Sequence, residues 1–412
     1  MKRHTAISLL VFFLCTGFIS LARADFDLGM KAYEEGDYAT AVREFKADGS
    51  AEAQYNLALM YSIGKGVKKN PVESARWYRK SAEQGYAGAQ FNLGVLHATG
   101  DGVENDRKEA AKWFRRAAEQ GHATAQFILA YMYETGDGVN QDAVEAVKWY
   151  RKAAEQGKTP AQFNLAIMKE KGEGGEKDKM EAAAWYRRAA EKGFLPACFS
   201  LGLLYDKGDG VKEDKKEAAR WYRKAAEKGF VNAQLNLGIL YSRGEGVKQD
   251  KKEAMKWLRR AADKRNSIAQ YLIGLMYDKG EGVRQDHKEA AKWFRKAAEQ
   301  GNTPAQLNLG LMYDKGAGGV SQDKKEAAIW YRKAAEQGDA DAQDNLGFLY
   351  YKGLGVAQDK VEAAKWFLKA AEQGNSEAQL NIGLMYDKGE GVQQDKMEAA
   401  KWYRKAAEQA HH

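Results

Sequence analysis

Cysteine, histidine and proline are all scarce in this sequence, and each scarcity closes off a class of protein. Its 412 residues include two cysteines, six histidines and four prolines. Cys15 falls in a leader segment, which leaves Cys198 by itself and rules out an intrachain disulfide framework. Beyond the leader stand only His97, His122, His287, His411 and His412, with no metal-ligand spacing. No residue stands in a pattern that would activate a nucleophile. The chain is therefore read as a non-enzyme, with no catalytic residue, metal ligand or cofactor assigned. No later apolar stretch approaches the ~18 residues that mark a membrane span. Charge is nearly balanced as well, since the formal +8 becomes +5 once Lys2, Arg3 and Arg23 leave with the leader. Spread over so long a chain, that excess gives nucleic acid little reason to bind.

The leader itself is explicit. Lys2 and Arg3 precede an apolar run from Ala6 to Ile19, and Ala22-Arg23-Ala24 follows. This is the pattern of a secretory signal peptide cleaved after Ala24, and it predicts a periplasmic or secreted protein. Leu14 before Cys15 is too large for lipoprotein processing, so no lipid anchor is expected.

What the chain has in abundance is repetition. Its ten tryptophans, from Trp77 to Trp402, recur every 36 residues, with a single step of 37 between Trp293 and Trp330. A fixed period of this size means stacked supersecondary units, each too small to bury its own apolar face. Seven residues before every tryptophan stands Asp or Asn, as at Asp106, and three residues after that stands Glu, as at Glu109. That capping box starts a helix carrying the tryptophan. A preceding helix is predicted over Ala51–Ile63 in the first repeat, with glycine ending it at the same place in all ten. Pro71, Pro160, Pro196 and Pro304 all fall in first turns, where proline is tolerated.

The Ala-x-Ala-Gln start, the Leu-Gly pair, the Gly-x-Gly-Val loop and the Glu-Ala-x-x-Trp-Tyr helix resemble Sel1-like repeats, which are related to tetratricopeptide repeats. The resemblance implies an all-α, right-handed superhelical solenoid of stacked helix-turn-helix units. The organisation read from the chain is a signal peptide over 1–24, a tetratricopeptide-like capping pair over 25–49, ten repeats over 50–410 and a tail at 411–412. No capping helix follows the tenth repeat, so its last helix is expected to be covered by a second copy or a partner.

In the related tetratricopeptide solenoids the first helix of each unit lines a concave groove. Here the residue after Ala-Gln is Tyr55, Phe91, Phe127, Phe163, Phe199, Leu235, Tyr271 and Leu307 in successive repeats. Four residues on stand Leu59, Val95, Tyr131, Ile167, Leu203, Ile239, Leu275 and Leu311. Two arrangements fit: an open apolar stripe for a peptide or amphipathic helix, or packing from helix to helix. Beside the stripe run Asn56, Asn92, Asn164, Asn236, Asn308, Asn345 and Asn381. These would either grip a peptide backbone or bond loop carbonyls of the next repeat, and Ile128, Ser200 and Leu272 interrupt the series. Asp206, Asp278, Asp314 and Asp387 would place acid on the rim for a basic ligand.

The tryptophans are read as core, and clusters such as Arg115-Arg116 as solvated helix pairs with Glu119. The resemblance implies an extracytoplasmic scaffold that binds protein or peptide. It also raises β-lactam binding or hydrolysis, to which some secreted Sel1-like proteins are linked, but those carry paired cysteines in each repeat and this chain does not. Binding of cell-wall glycan through exposed rings is the third reading.

Overall fold

The computed structural model describes residues 26–409, so the signal peptide over 1–24 and the tail at 411–412 lie outside the described residues. Every regular element among the described residues is an α-helix. A helix over 26–35 (α1) and α2 (Tyr38–Asp48) come first. The first helices of the ten repeats follow as α3 (Ala51–Ile63), α5 (Ala87–Thr99), α7 (Ala123–Thr135), α9 (Thr159–Lys171), α11 (Leu195–Lys207), α13 (Val231–Arg243), α15 (Ser267–Lys279), α17 (Thr303–Lys315), α19 (Ala340–Lys352) and α21 (Ser376–Lys388). The second helices are α4 (Pro71–Glu83), α6 (Arg107–Glu119), α8 (Ala143–Glu155), α10 (Lys179–Glu191), α12 (Lys215–Glu227), α14 (Lys251–Asp263), α16 (His287–Glu299), α18 (Lys324–Glu336), α20 (Lys360–Glu372) and α22 (Lys396–Gln409). Two compact units divide the chain, one reaching Leu204 and including Gly208–Lys212, the other holding Tyr205–Lys207 and the chain from Glu213 on. Within each, consecutive hairpins stack as in a solenoid.

The caps explain where the helices begin and end. Asp106 Oδ1 accepts from the amides of Lys108 at 2.9 Å and Glu109 at 3.0 Å, and its counterparts repeat the pattern. The other half of the capping box does not form. The Asp106 amide already donates to the His97 carbonyl at 2.9 Å, which closes the turn between the two helices of the repeat. Glu109 is thereby released, and it pairs with Lys112 at 2.7 Å. In the Gly-x-Gly-Val loop the second glycine is required twice over. Gly102 has φ +75°, and a Cβ there would lie 2.3 Å from the Pro71 carbonyl oxygen at the head of the preceding second helix.

Stacking is carried by the indoles. Trp113 is buried among Ala58, Tyr78, Ala82, Ala89 and Leu93, so a second helix plugs the layer before it. Trp330 does the same in the other unit, against Phe294, Leu309 and Met312. Each such indole buries roughly 150–250 Å², worth about 4–6 kcal/mol gross. In all ten repeats a Lys or Arg three residues later lies over the indole, as Arg116 does at 4.5 Å and Lys333 at 4.0 Å from the ring centroid. This corrects the sequence reading of Arg115-Arg116. Arg116 covers Trp113 and Arg115 covers Tyr133, so both serve as lids on rings.

Candidate interaction site

The first helices place the stripe residues at the join between successive hairpins. Tyr55 and Leu59 pack against the layer containing Leu93, and Phe91 and Val95 against that containing Met132. Tyr271 and Leu275 pack likewise against the layer of Leu309. The rings of Tyr55, Phe91, Phe127, Phe163 and Tyr271 also lie tilted on Tyr78, Phe114, Tyr150, Tyr186 and Phe294 of the same repeat, with centroids 5.6–5.8 Å apart. Yet most of the stripe is only half-buried, Ile167 and Phe199 included. Tyr131 is 50 % exposed, Phe348 44 % and Leu380 51 %.

Asn164 donates through Nδ2 to the Tyr150 hydroxyl at 3.0 Å, and Asn92 and Asn236 bond the hydroxyls of Tyr78 and Tyr222. The expectation of loop carbonyls as their partners is thus corrected. The acceptor is a tyrosine fourteen residues earlier, on the preceding second helix. The interruptions follow the same rule. Ile128 stands opposite Phe114, Ser200 bonds Tyr186, and Leu272 stands opposite Leu258. Where the partner is phenylalanine, the amide turns elsewhere: Asn308 to Tyr271, opposite Phe294, and Asn381 to Asp344 at 3.0 Å, opposite Phe367. Asn56, with no repeat before it, bonds the Glu52 carbonyl at 2.9 Å in its own helix. At these joins a polar residue answers a polar one because an amide left alone in such a site loses its water without compensation; the Tyr331 hydroxyl, fourteen residues before Asn345, is the exception and makes no hydrogen bond. Burial pushes the Tyr78 hydroxyl up to about 12, and Tyr150 and Tyr186 are driven higher for the same reason, so all stay protonated donors.

The acids foreseen on the rim all find partners within the fold, three of them lysines. Asp206 pairs with Lys215 at 3.0 Å, Asp314 with Lys324 at 2.8 Å and Asp387 with Lys396 at 2.6 Å, while Asp278 meets His287 at 2.9 Å. Each partner is the first residue of a second helix, so these contacts close the hairpin and offer no ready site to a basic ligand.

Several residues escaped the sequence reading. The glutamine of Ala-x-Ala-Gln is buried, as at Gln126, which donates to the Ala118 carbonyl at 3.0 Å and accepts from Gln156 of the next helix at 2.7 Å. Its recurrence was visible, but a 30-residue link between amides was not. Cys198 fills the same place and is fully buried, its thiol 3.5 Å from the Ala190 carbonyl. Lys169, replacing the recurrent tyrosine, joins Arg151 on Glu181 at 3.2 and 2.6 Å. Burial opposes ionisation of Glu181, but the hydrogen bonds from Arg151, Trp185 and Lys169 outweigh it and hold the carboxyl at about 2. His97, likewise in a tyrosine position, lies between Arg79 at 3.2 Å and the Glu104 carbonyl at 3.3 Å. A cleft of about 1010 Å³ beside α6 is lined by Lys112, Arg115 and Arg116, which Glu109, Tyr133 and Trp113 already engage. Among the described residues no group of three or more His, Cys, Asp or Glu is arranged to hold a metal ion.

A stack of paired helices with such loops defines a helical-repeat protein. The Sel1 repeat model matches ten consecutive blocks, from 51–86 to 376–411, and the chain belongs to the Sel1 repeat family. Among solved structures it is similar to a protective antigen of uropathogenic Escherichia coli strains that displays an SLR fold. The identity is 40 % over 90 % of this chain and 79 % of that one, with a TM-score of 0.78. It is also similar to a Sel1 repeat protein from Oxalobacter formigenes, at 34 % identity over 77 % of this chain and 93 % of that one, with a TM-score of 0.66. No curated protein matches the chain. Sel1 repeat proteins generally act in protein–protein interaction, and their solenoid is typically a non-catalytic scaffold. No helix among the described residues is long and apolar enough to cross a membrane.

Proposed function

We propose that this protein is an extracytoplasmic scaffold that holds a segment of another protein against its first helices. The observation carrying the proposal is the exposure of large apolar side chains along one helix series. Tyr131 on α7, Phe348 on α19 and Leu380 and Leu384 on α21 all lie in the stripe, while the indoles beneath are buried. Within each unit, exposed apolar side chains of this kind suit a peptide or amphipathic helix. The stripe from Tyr55 and Leu59 to Phe199 forms the surface, and Asn92, Asn164 and Asn236 act on it indirectly by fixing the second-helix tyrosines. Residues 1–24 are the export leader and 25–49 close the N-terminal end, where Ala41, Val42 and Phe45 pack on Leu57 and Met60 of the first repeat. Resemblance to a protective antigen supports the placement outside the cytoplasm.

Glycan binding is less well supported, because stacking on sugar needs open ring faces and most of these rings lie tilted against a neighbour. Tyr131→Asp is expected to lower partner capture, measured by crosslinking in the native compartment, at least tenfold with the helical circular dichroism unchanged. Capture as strong as that of the wild type would remove the stripe from the binding surface.

A further inference from the structure

The sixth repeat, residues 231–266, breaks the pattern in several places at once. At the second-helix position after tryptophan, nine repeats carry Tyr or Phe, and this one carries Leu258. Opposite it, the next first helix carries Leu272 where most repeats have asparagine. Its own stripe residue is Leu235, so no ring lies over Leu258. The glycine that follows eight of the other nine second helices is here Arg265, the one non-glycine residue with positive φ among the described residues, at +63°. One replacement alone would pass as drift; together they remove the ring pair and the asparagine–tyrosine bond found at other joins, while Gln270 still donates to the Ala262 carbonyl at 3.2 Å.

What remains is a slot of about 230 Å³ between α13 and α15, lined by Ile239, Leu258, Ile268, Leu272, Leu275 and Met276. The corresponding notch one repeat later, between α15 and α17, holds Phe294, Asn308, Asp278 and His287 instead. That notch is the larger of the two, at about 380 Å³, so the exchange of a ring and an amide for two leucines changes the lining and not the size: aliphatic side chains line the slot, with Ser242 and charged residues beside them. An apolar cavity of about 150 Å³ accepts a benzene ring, so this one is large enough for a leucine or phenylalanine side chain. Ile268, 49 % exposed, stands at the mouth.

The mouth also carries charge. Arg243 and Lys279 border it together with Glu281, and Lys251 already neutralises Glu281 at 2.7 Å. Arg243 has only a distant contact to Glu245 at 3.7 Å, and Lys279 makes no ion pair among the described residues. The uncompensated charge is positive.

We propose that this slot is an anchor site for one apolar side chain of a partner protein, a leucine or phenylalanine flanked by acidic residues. The apolar side chain enters the slot against Leu258 and Leu272, and the acidic neighbours meet Lys279 and Arg243. The proposal rests on the reading of the first-helix face as a binding surface and names the partner chemistry at one point of it.

Leu258→Phe tests it, because the substitution restores the ring of the other nine repeats. Gly238 leaves room opposite position 258, as Gly274 does for Phe294. The probes are fluorescein-labelled peptides with Asp-Leu-Asp, Asp-Ala-Asp or Lys-Leu-Lys at the centre of a Gly/Ser segment. The wild type is expected to bind the first at least tenfold more tightly than the other two. Leu258→Phe should abolish the preference with its melting temperature kept, and Lys279→Glu should reverse it toward the lysine peptide. No saturable binding of the Asp-Leu-Asp peptide, or equal binding by Leu258→Phe, would overturn the slot. Partner capture lost in Tyr131→Asp but retained in Leu258→Phe would leave the general surface standing and remove only this anchor.

Discussion

The first four repeats and the last three close the same inner join by different chemistry. In the first set the residue preceding the next first helix is often a ring that stacks on the stripe: Tyr86 on Tyr55 at 4.9 Å, His122 on Phe91 at 4.6 Å and Phe194 on Phe163 at 5.2 Å. Tyr86 and Phe194 consequently give no side-chain cap to α5 and α11. His122 serves both ends, accepting from the Ala125 amide at 3.1 Å, and burial lowers its pKa, which keeps the accepting nitrogen free. In the last set the same position is Asn302, Asp339 or Asn375, which caps its helix at 2.8–3.0 Å, and the stripe residues become Leu307, Asp344 and Leu380. A cap hydrogen bond and a stacked ring are each worth about 1 kcal/mol, so neither has a decisive advantage. What differs is the surface left behind, aromatic in one region and aliphatic with a buried acid in the other.

Asp344 offers the sharpest test of this difference. It is only 8 % exposed, and burial, with Asp341 and Glu377 nearby, pushes its carboxyl up to about 6 from an ordinary 3.8. The folded state therefore holds this proton more tightly than the unfolded chain does. The resulting stability is fully present below pH ~4 and is lost as pH rises through about 6. Asp344→Asn keeps an acceptor for Asn381 and removes the charge. It is expected to stabilise the protein by about 1–3 kcal/mol at pH 8, with the gain vanishing by pH 4, as read from denaturation midpoints at the two pH values. An equal gain at both would show that charge burial is not the cause.

A smaller effect is expected from the hydrogen-bonded layers of the first region. Tyr150→Phe strands the Asn164 amide and the Glu134 carboxylate, which the hydroxyl joins at 3.0 and 2.5 Å. The cost should be about 1–2 kcal/mol. Adding Asn164→Ile recreates the Phe114 and Ile128 arrangement and should recover about half of it. A strictly additive double mutant would show that the two positions are not coupled. The smallest effect is Asn302→Ala, expected to cost about 1 kcal/mol through the lost cap of α17. Tyr86→Ala should instead act through its stack on Tyr55, so a comparison of the two by thermal denaturation measures the trade directly.

The helical boundaries, the caps and the buried indoles were legible in the sequence because each is set by a residue and its neighbours within one or two turns. Asp106 and Gly100 mark a helix start and stop whatever lies beyond them, and a tryptophan repeated at one helical position is core by periodicity alone. The candidate surface was only half legible. Stripe positions such as Phe127 and Tyr131 were identifiable, but their degree of exposure depends on how closely the next hairpin approaches. The partners of Asn164, Asp206 and Gln126 were not legible, since each choice among donors lies between neighbouring helices.

By itself, then, the sequence determined a tandem array of capped helix pairs, since propensity, capping and periodicity act locally and recur ten times. The tertiary structure alone decided which side chains satisfy one another and which stay open. Those outcomes turn on distances of a few ångströms between neighbouring hairpins. Leu258 and Leu272 make the point: each is an ordinary helical leucine, and only when their helices meet does a hollow appear.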